Sequence, residues 1–511
     1  VAHAHVIVRK DSYYDSVMLL RISRDVKAHK GVEDAVVAMG TPANRELLEK
    51  SGYVGAALAA ATANDLVIAV RVDGVPPSAI EAVVDKLLDA RASSAAPVDE
   101  TRVTSLVAAV RAEPRCNLVL ISVPGEHATR EARRALGLGR HVLLFSDNVS
   151  LEDEVALKQE AVAKGLLMMG PDCGTAIING VPLAFANVVR RGSIGIVGAA
   201  GTGIQEVSAC IHRLGGGVSQ AIGTGGRDLC VGVGGLMMLL GIEALAADAA
   251  TEVLVVVSKP PAAQVADTII AAVRAAGKPA VVHFVGSASR PPIDKVVFAD
   301  SLAGTAEEAC RLAGRKPTPS GPAFDDALVA ELARRLKAGQ TLCGLFCGGT
   351  TGYEALALLD RAGLRVRSNL HKALDLSIDG TAVVSGHVLL DLGDDAFTAG
   401  RPHPMIEPEL RNERLAQELA RREVGVLLFD VVLGYGSHCD PAGVLVRGVR
   451  AAMRGRPLVA IASVTGTDGD PQGYEAQQRL LNEAGVVVMP DNRRAAELAA
   501  AVVGALGKDV Q

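Results

Sequence analysis

Short apolar runs rich in Val, Ile and Leu alternate with longer stretches whose apolar positions recur every three or four residues, and the alternation holds along nearly the whole chain. HVIVRK, DAVVAMG and DLVIAVRV read as strands. DSVMLLRISRDVKAHKG, PANRELLEKSG and SAIEAVVDKLLDAR read as amphipathic helices between or after them, which makes residues 1–91 a first α/β unit. ASSAAPVDE (92–100) reads as a linker. A second unit, 100–186, runs through NLVLISVPG, a helix to Leu138, HVLLFSD and a helix from Leu151, and closes at GLLMMGPDCGTAI. A third spans 190–314. GRKPTPSGPAFDD (314–326) is a second linker, and a fourth unit fills 327–511. Near-continuous apolar strands separated by helices predict the α/β class: tandem Rossmann- or flavodoxin-like domains, each a doubly wound parallel sheet with helices on both faces.

Two glycine turns interrupt this pattern in the same way. In IGIVGAAGTGIQEV a strand ends at Ala200, Gly201, Thr202 and Gly203, and a helix begins. In LFCGGTTGYEALALLDRAG the same happens at Gly348, Gly349, Thr350 and Thr351. Gly201-Thr202, Glu206, Arg213 and Gly215 recur at identical spacing as Gly349-Thr350, Glu354, Arg361 and Gly363. The flanking strands correspond too, TEVLVVVSKPP with VGVLLFDVVLG and GKPAVVHFVGS with GRPLVAIASVTGT. The third and fourth units therefore read as two copies of one domain. A helix N-terminus carries about half a positive charge and unpaired N–H groups. Two such ends aimed at one point would cradle a phosphate or an oxyanion, with the threonine hydroxyls as further donors. Neither turn has the Gly-Lys-Ser/Thr of a nucleotide-binding P-loop or a GxGxxG in frame.

Composition narrows the function. The chain has 511 residues, enough for several cores at 49% hydrophobic, and 52 basic against 57 acidic residues give a formal charge of -5. That balance, with 3% aromatics and no Trp, argues against nucleic acid. The 8 cysteines form no CxxC pair and read as reduced thiols, not a disulfide frame or metal site. VAHAHVIVRKDSYYD reaches charge too soon for a signal peptide, and LCVGVGGLMMLLGI is too short and glycine-broken to span a bilayer, so a cytoplasmic location away from membranes is expected.

GPDCGTAI, GSIGIVGAAGTGIQEV and AIGTGGRD, in that order, resemble the succinyl-CoA synthetase superfamily, in whose α chain two such helix ends hold a phosphohistidine. LFCGGTTGYEA, DLGDDAFTAGRPHPMI, DVVLGYGSHCDPA and SVTGTDGDPQGYEAQ look like the FdrA-like branch, in which both ligase-type domains lie on one chain. The resemblance implies a CoA-binding-like Rossmann-type domain at 100–186 and ligase-like domains at 190–314 and 327–511. Four departures matter. The histidine loop is replaced by KVVFADSLAGTAEE, no histidine lies between His283 and His371, and no ATP-grasp domain stands between the copies. The first glycine-rich turn of the CoA-binding domain is missing too. These argue against phosphohistidine chemistry and ATP use, and leave CoA open.

What the branch implies instead is one subunit of an oxamate carbamoyltransferase-type enzyme of ureide catabolism. It would move a carbamoyl group between a ureido compound such as oxalurate and phosphate, giving carbamoyl phosphate, with no further cofactor and with other subunits as partners in an oligomer. The alternatives are a CoA-dependent acid–thiol ligase and a non-catalytic scaffold subunit. Glu206 and Glu354, whose counterparts orient the synthetase histidine, are expected to orient the amide or relay its proton, or else to serve as helix-dipole carboxylates. Arg227 of GTGGRD, with Gly225 and Gly226, and Arg401 of LGDDAFTAGRPHP, with Asp394, are expected to clamp phosphate or carboxylate. His403 is a candidate for proton transfer. Gly434 and Gly436 of GYGSHCDPAG follow a strand end, where doubly wound folds place ligands. Adjacent His438, Cys439 and Asp440 do not make a metal site, and Cys173 reads as a packed thiol.

Overall fold

The computed structural model describes residues 3–12, 14, 16–94, 103, 105–287, 290–316, 324–371, 375–379, 381–398, 401–454 and 456–508. The chain divides into two compact units, Val1–Thr104 and Ser105–Gln511. Of the two linkers read from sequence, residues 95–100 and 317–323 lie outside the described residues.

The first unit runs β1 (His3–Arg9), α1 (Ser16–Lys27), β2 (Val32–Met39), α2 (Pro42–Lys50), α3 (Ala56–Ala59), β3 (Leu66–Val72) and α4 (Pro77–Ser94). Its sheet order is β1-β3-β2, and both neighbours run antiparallel to β3. This corrects the parallel expectation for this unit. The βαβ crossover is there, but β3 inserts between the two strands it joins. Alternation along β3 explains the central place. Leu66, Ile68, Val70 and Val72 enter one core with Leu19, Ile22 and Val26, while Val67 and Ala69 enter another with Leu48, Tyr53 and Leu58.

The second unit opens with α5 (Leu106–Ala112), β4 (Leu118–Ile121), α6 (Gly125–Gly137), β5 (His141–Leu144), α7 (Leu151–Ala163) and β6 (Met168–Met169). The strands form a parallel sheet in that order. The hairpin β7 (Thr175–Ile178) and β8 (Val181–Ala184) leaves this sheet and joins the next, β7 running antiparallel to β10. The first repeat copy follows: β9 (Arg191–Ala199), α8 (Gly201–Arg213), β10 (Val218–Gly223), α9 (Leu236–Ala247), β11 (Val253–Ser258), α10 (Ala263–Ala275), β12 (Ala280–Phe284), β13 (Val296–Phe298) and α11 (Leu302–Leu312). Its sheet order is β13-β12-β11-β9-β10-β7-β8. The second copy comprises α12 (Asp326–Arg334), β14 (Thr341–Phe346), α13 (Gly349–Arg361), β15 (Val366–Ser368), β16 (His387–Asp391), α14 (Asp395–Thr398), α15 (Glu409–Leu419), β17 (Val424–Val432), α16 (Pro441–Met453), β18 (Val459–Thr465), α17 (Tyr474–Glu483), β19 (Val487–Met489) and α18 (Asn492–Lys508). Its sheet, β15-β16-β14-β17-β18-β19, is parallel throughout, and β17 and β18 are buried along their whole length, as strands covered on both faces must be.

The copies correspond in three dimensions. β9 and β14 are the central strands, and α8 and α13 each start at the repeat glycine and run 13 residues. Gly223 pairs with Gly198, three residues before Gly201, and Asp391 pairs with Phe346, three residues before Gly349. β16 therefore stands in space where β10 stands, although β15 comes first in sequence. The copies meet through α8 and α11 of the first and α13 and α18 of the second.

Candidate functional site

The two glycine turns converge. The backbone N–H of Thr350 donates to Thr202 Oγ1 at 3.1 Å, so the first turn of α13 rests on the first turn of α8. The contact needs the glycines. A Cβ on Gly203 would lie 2.9 Å from Thr350 Cγ2, and one on Gly348 would lie 3.0 Å from Thr202 Cγ2. Other helices here carry side-chain caps: Ser150, Ser301, Asp325 and Asp440 each accept from an N–H in the first turn. Ala200 and Gly348, the N-cap residues of α8 and α13, make no such bond. Asp430, buried at the end of β17, instead takes the N–H groups of Cys347 and Gly348 and the hydroxyl of Thr351, which fixes the loop ahead of α13. Thr351 thus locks the turn and has no hydroxyl to spare.

Beside Gly349 lie two groups that the sequence reading did not single out. A Cβ placed on Gly349 would be 2.6 Å from Asp391 Oδ2 and 3.2 Å from Lys259 Nζ. Lys259 follows β11 in the first copy, and Asp391 ends β16 in the second, so both stand at carboxyl ends of parallel strands. Asp391 is 6% exposed, and its Oδ1 accepts from Gly393 N at 3.0 Å. Neither its Oδ2 nor the Lys259 ammonium has a hydrogen-bond partner among the described residues. Burial pushes the Asp391 carboxyl up to about 6, with Lys259 pulling the other way. Asp172, in the GPDCG loop, is likewise raised to about 6 by burial and opposed by Lys259. It keeps solvent contact while surrounded by protein, as a group in a cleft does. Asp147, Asp395 and Arg227 also act on it electrostatically.

The remaining candidates fall into three places. Glu206 and Glu354 are buried, at 1% and 3% exposure, between the copies. Glu354 Oε1 accepts from the N–H of Leu302, first residue of α11, at 2.7 Å, and its Oε2 accepts from Asn492 Nδ2 at 2.8 Å. Glu206 accepts from the N–H of Asn492, first residue of α18, at 3.4 Å and from Thr465 Oγ1 at 2.5 Å. Each glutamate thus sits at the N-terminus of the last helix of the other copy. Burial raises both, Glu354 to about 7. They lie at helix ends in the interior, with their oxygens engaged in joining the copies.

The two arginines have protein partners. Arg227 is 2.9 Å from Glu154 Oε2 and donates to the Val149 carbonyl at 2.7 Å. Beneath it the buried Lys158 donates to Glu154, to Asp228 and to the Thr224 carbonyl, tying α7 to the loop after β10. Arg401 is paired with Glu413 at 2.8 Å. Both guanidiniums remain about half exposed at 47% and 45%. His403 adjoins the cleft, since a Cβ on Gly393 would lie 2.5 Å from its Nε2. Burial lowers its pKa to about 4, and its Nδ1 accepts from Met405 N at 3.2 Å. The neutral ring therefore carries its proton on Nε2 and offers a donor there, not a base. Asp394 caps the short α14 through Ala396 N.

The other glycines serve close approach. Gly225, at φ 89°, and Gly434, at φ 109°, hold left-handed conformations against the Pro171 and Ala186 carbonyls. Gly226 faces Asp172, and Gly436 packs on Phe185. Gly434 and Gly436 thus hold the 184–187 segment and line no helix end. No disulfide joins the cysteines among the described residues, Cys173 is buried, and no group of three or more potential ligands that could hold a metal occurs there. No described helix is long and apolar enough to cross a membrane.

Three family models match the chain: CoA-ligase over residues 345–502, CoA binding domain over 189–286, and AllF, heavy metal-associated domain over 2–104. The CoA-binding match falls on the first copy, not on residues 100–186. The chain is 43% identical over 493 residues to the protein YahF of Escherichia coli (strain K12), covering 94% of this chain and 95% of that one. It is 26% identical over 207 residues to the succinate–CoA ligase [ADP-forming] subunit alpha-2, mitochondrial, of Trichomonas vaginalis, covering 39% of this chain and 65% of the relative. Similar solved structures include the dinucleotide-forming acetyl-coenzyme A synthetase 1 of Ca. Korarchaeum cryptofilum, at TM-score 0.32 and 14% identity over 77% of this chain and 85% of that one. Another is the ATP citrate lyase of Methanothrix soehngenii in complex with citrate and coenzyme A, at 0.32 and 13% over 79% and 84%. Nothing about this chain follows from a likeness of that degree.

The first unit fits a soft metal ion poorly. Residues 1–104 contain no cysteine, so that unit has no thiolates for a soft metal ion. At the first strand–helix turn of the 105–511 unit, a Cβ on Gly125 would lie 2.4 Å from the Asp147 carbonyl and 2.5 Å from that of Asn148. Carbonyl oxygens crowd this helix end, which lies outside the CoA-binding match at 189–286.

Proposed function

From the premise that the chain belongs to the family of YahF, with CoA-ligase-type domains, we propose that its cleft transfers a carbamoyl group between a ureido acid and phosphate, as one subunit of a larger assembly. One observation carries this reading: two helix ends whose N-cap residues supply no side-chain acceptor abut beside a lysine and a carboxyl. His283, the histidine closest in sequence to the replaced loop, is 1% exposed in β12 and bound through Nδ1 to the Ala299 carbonyl at 3.0 Å. In the proposed step a phosphate oxygen bonds to the carbamoyl carbon, the carbon–nitrogen bond breaks, and the proton carried by phosphate ends on the departing amide nitrogen. The helix-end N–H groups and Lys259 offset the charge that builds on the carbonyl oxygen. The carboxyl of Asp391, which burial raises to about 6, relays the proton in this reading.

The test is the assembled enzyme with oxalurate and phosphate, without ATP or CoA. Carbamoyl phosphate is trapped as citrulline by ornithine carbamoyltransferase. Citrulline formation supports the reading, and its absence across a panel of ureido acids ends it. A second reading, an acid–thiol ligase that consumes CoA, is favoured by the CoA-ligase and CoA-binding matches. Thioester formation by the same preparation would select it.

A further inference from the structure

Lys259 comes from the first copy and Asp391 from the second, yet both close on one point above Gly349. Asp391 is more than nine-tenths buried with Oδ2 unpartnered among the described residues, and the ammonium of Lys259 is unpartnered as well. An ammonium and a carboxylate this close would normally pair directly, yet no ion pair joins them. Gly349 keeps the space between them empty of protein, since any side chain would start 2.6 Å from the carboxylate. The N-terminus of α13 adds positive potential there: its N-cap residue Gly348 supplies no side-chain acceptor, and in its first turn the Thr350 N–H is taken by Thr202 Oγ1.

We propose that Lys259, the N-terminus of α13 and Asp391 form a two-ended subsite for a small acid that carries an N–H donor next to its anionic group. The anionic oxygens lie on the Lys259 ammonium and the Gly349 N–H, and the N–H of the ligand donates to Asp391 Oδ2. This rests on the carbamoyl-transfer reading only for the choice of probe. The chemistry it requires is an anion and an amide within one small molecule. The subsite spans both copies, which gives a reason for the two ligase-type domains to be carried on one chain.

The experiment is isothermal titration of the full chain with oxamate, which has both features, with oxalate, which lacks the amide, and with inorganic phosphate. The parent is expected to bind oxamate in preference to oxalate. Lys259→Met should weaken oxamate by about 10- to 100-fold, and Lys259→Arg should recover most of that loss. Asp391→Ala should erase the preference for oxamate over oxalate, and Gly349→Ala should weaken all three ligands. Unfolding midpoints close to the parent's establish that each variant is folded, and Lys259→Met, at a partly exposed position, carries the test if Asp391→Ala does not fold. Oxamate binding that Lys259→Met leaves unchanged overturns the subsite, as does a parent that binds neither oxamate nor phosphate. Citrulline formation with binding independent of Lys259 sinks the subsite and leaves the carbamoyl reading. Binding dependent on Lys259 without citrulline does the reverse.

Discussion

A carboxyl enclosed between two helix ends keeps its proton longer than one in water, and Glu354 is such a group. Its oxygens are taken by the Leu302 N–H and by Asn492, and burial outweighs both bonds, raising it from 4.5 to about 7. An unfolded chain would release this proton near its ordinary value while the folded chain holds it, so the native state binds more protons between those limits. Stability therefore falls as pH climbs from about 4.5 to about 7 and levels off above, by at most about 3 kcal/mol from this group. Glu354→Gln, which cannot ionise, should flatten that part of the profile, so that the variant gains on the parent between about pH 5 and about pH 8 in urea midpoints. Identical pH slopes for the two would show that Glu354 is already ionised in the fold. The proton-relay expectation for Glu206 and Glu354 rests on the repeat and the family resemblance alone. Their spacing in the repeat is visible, whereas the helix ends they serve belong to the opposite copy.

The paired helices show how far sequence goes at the level of elements. Gly201 and Gly349, with identical spacing onward to Arg213 and Arg361, identify two helices of equal length, and the structure gives 13 residues to each. That these helices would meet end to end was an expectation, and Thr350 N on Thr202 Oγ1 meets it. Lys259 and Asp391 were not legible. SKPP reads as an ordinary strand exit, and Asp391 is separated in sequence from Gly349 by β15 and a long excursion. Only the sheet order, which puts β16 rather than β15 beside β14, brings it to the helix end. The available signal was the rule that ligands gather at the carboxyl ends of parallel strands. Arg227 has a partner that the repeat does not reveal, because Glu154 lies in α7, outside it. At this scale Gly348 is the sensitive hinge of the contact. A Cβ there would fall 2.4 Å from Thr351 Oγ1 and 2.9 Å from Asp430 Oδ2 as well as on Thr202. Gly348→Ala should destabilise the chain by about 1–3 kcal/mol, read as a lowered urea midpoint. Gly201→Ala should do much less, because its Cβ would meet only Thr175 Oγ1, at 3.4 Å. Equal effects at the two positions would mean that the helix ends are not held as tightly as Asp430 implies.

On the scale of the whole molecule, the first unit raises the question of metal. It matches a heavy metal-associated domain model over residues 2–104 and has the split βαβ topology in which β3 divides β1 from β2. Soft metal ions are held by thiolates, and this unit has none. Its histidines are His3, His5 and His29, and the first two lie on one face of β1, two residues apart. Two neutral imidazoles on a strand leave a divalent ion short of the four ligands of a structural zinc site. The expected outcome is that the purified full chain, dialysed against zinc and, under reducing conditions, against copper(I), retains less than one equivalent of either. A chelator should likewise leave its thermal midpoint unchanged, because a metal bound only to the native state raises that midpoint in proportion to its occupancy. Stoichiometric metal that survives dialysis and is lost in the double variant His3→Ala with His5→Ala would defeat this view, and would place a histidine site where the family match leads one to look for thiolates.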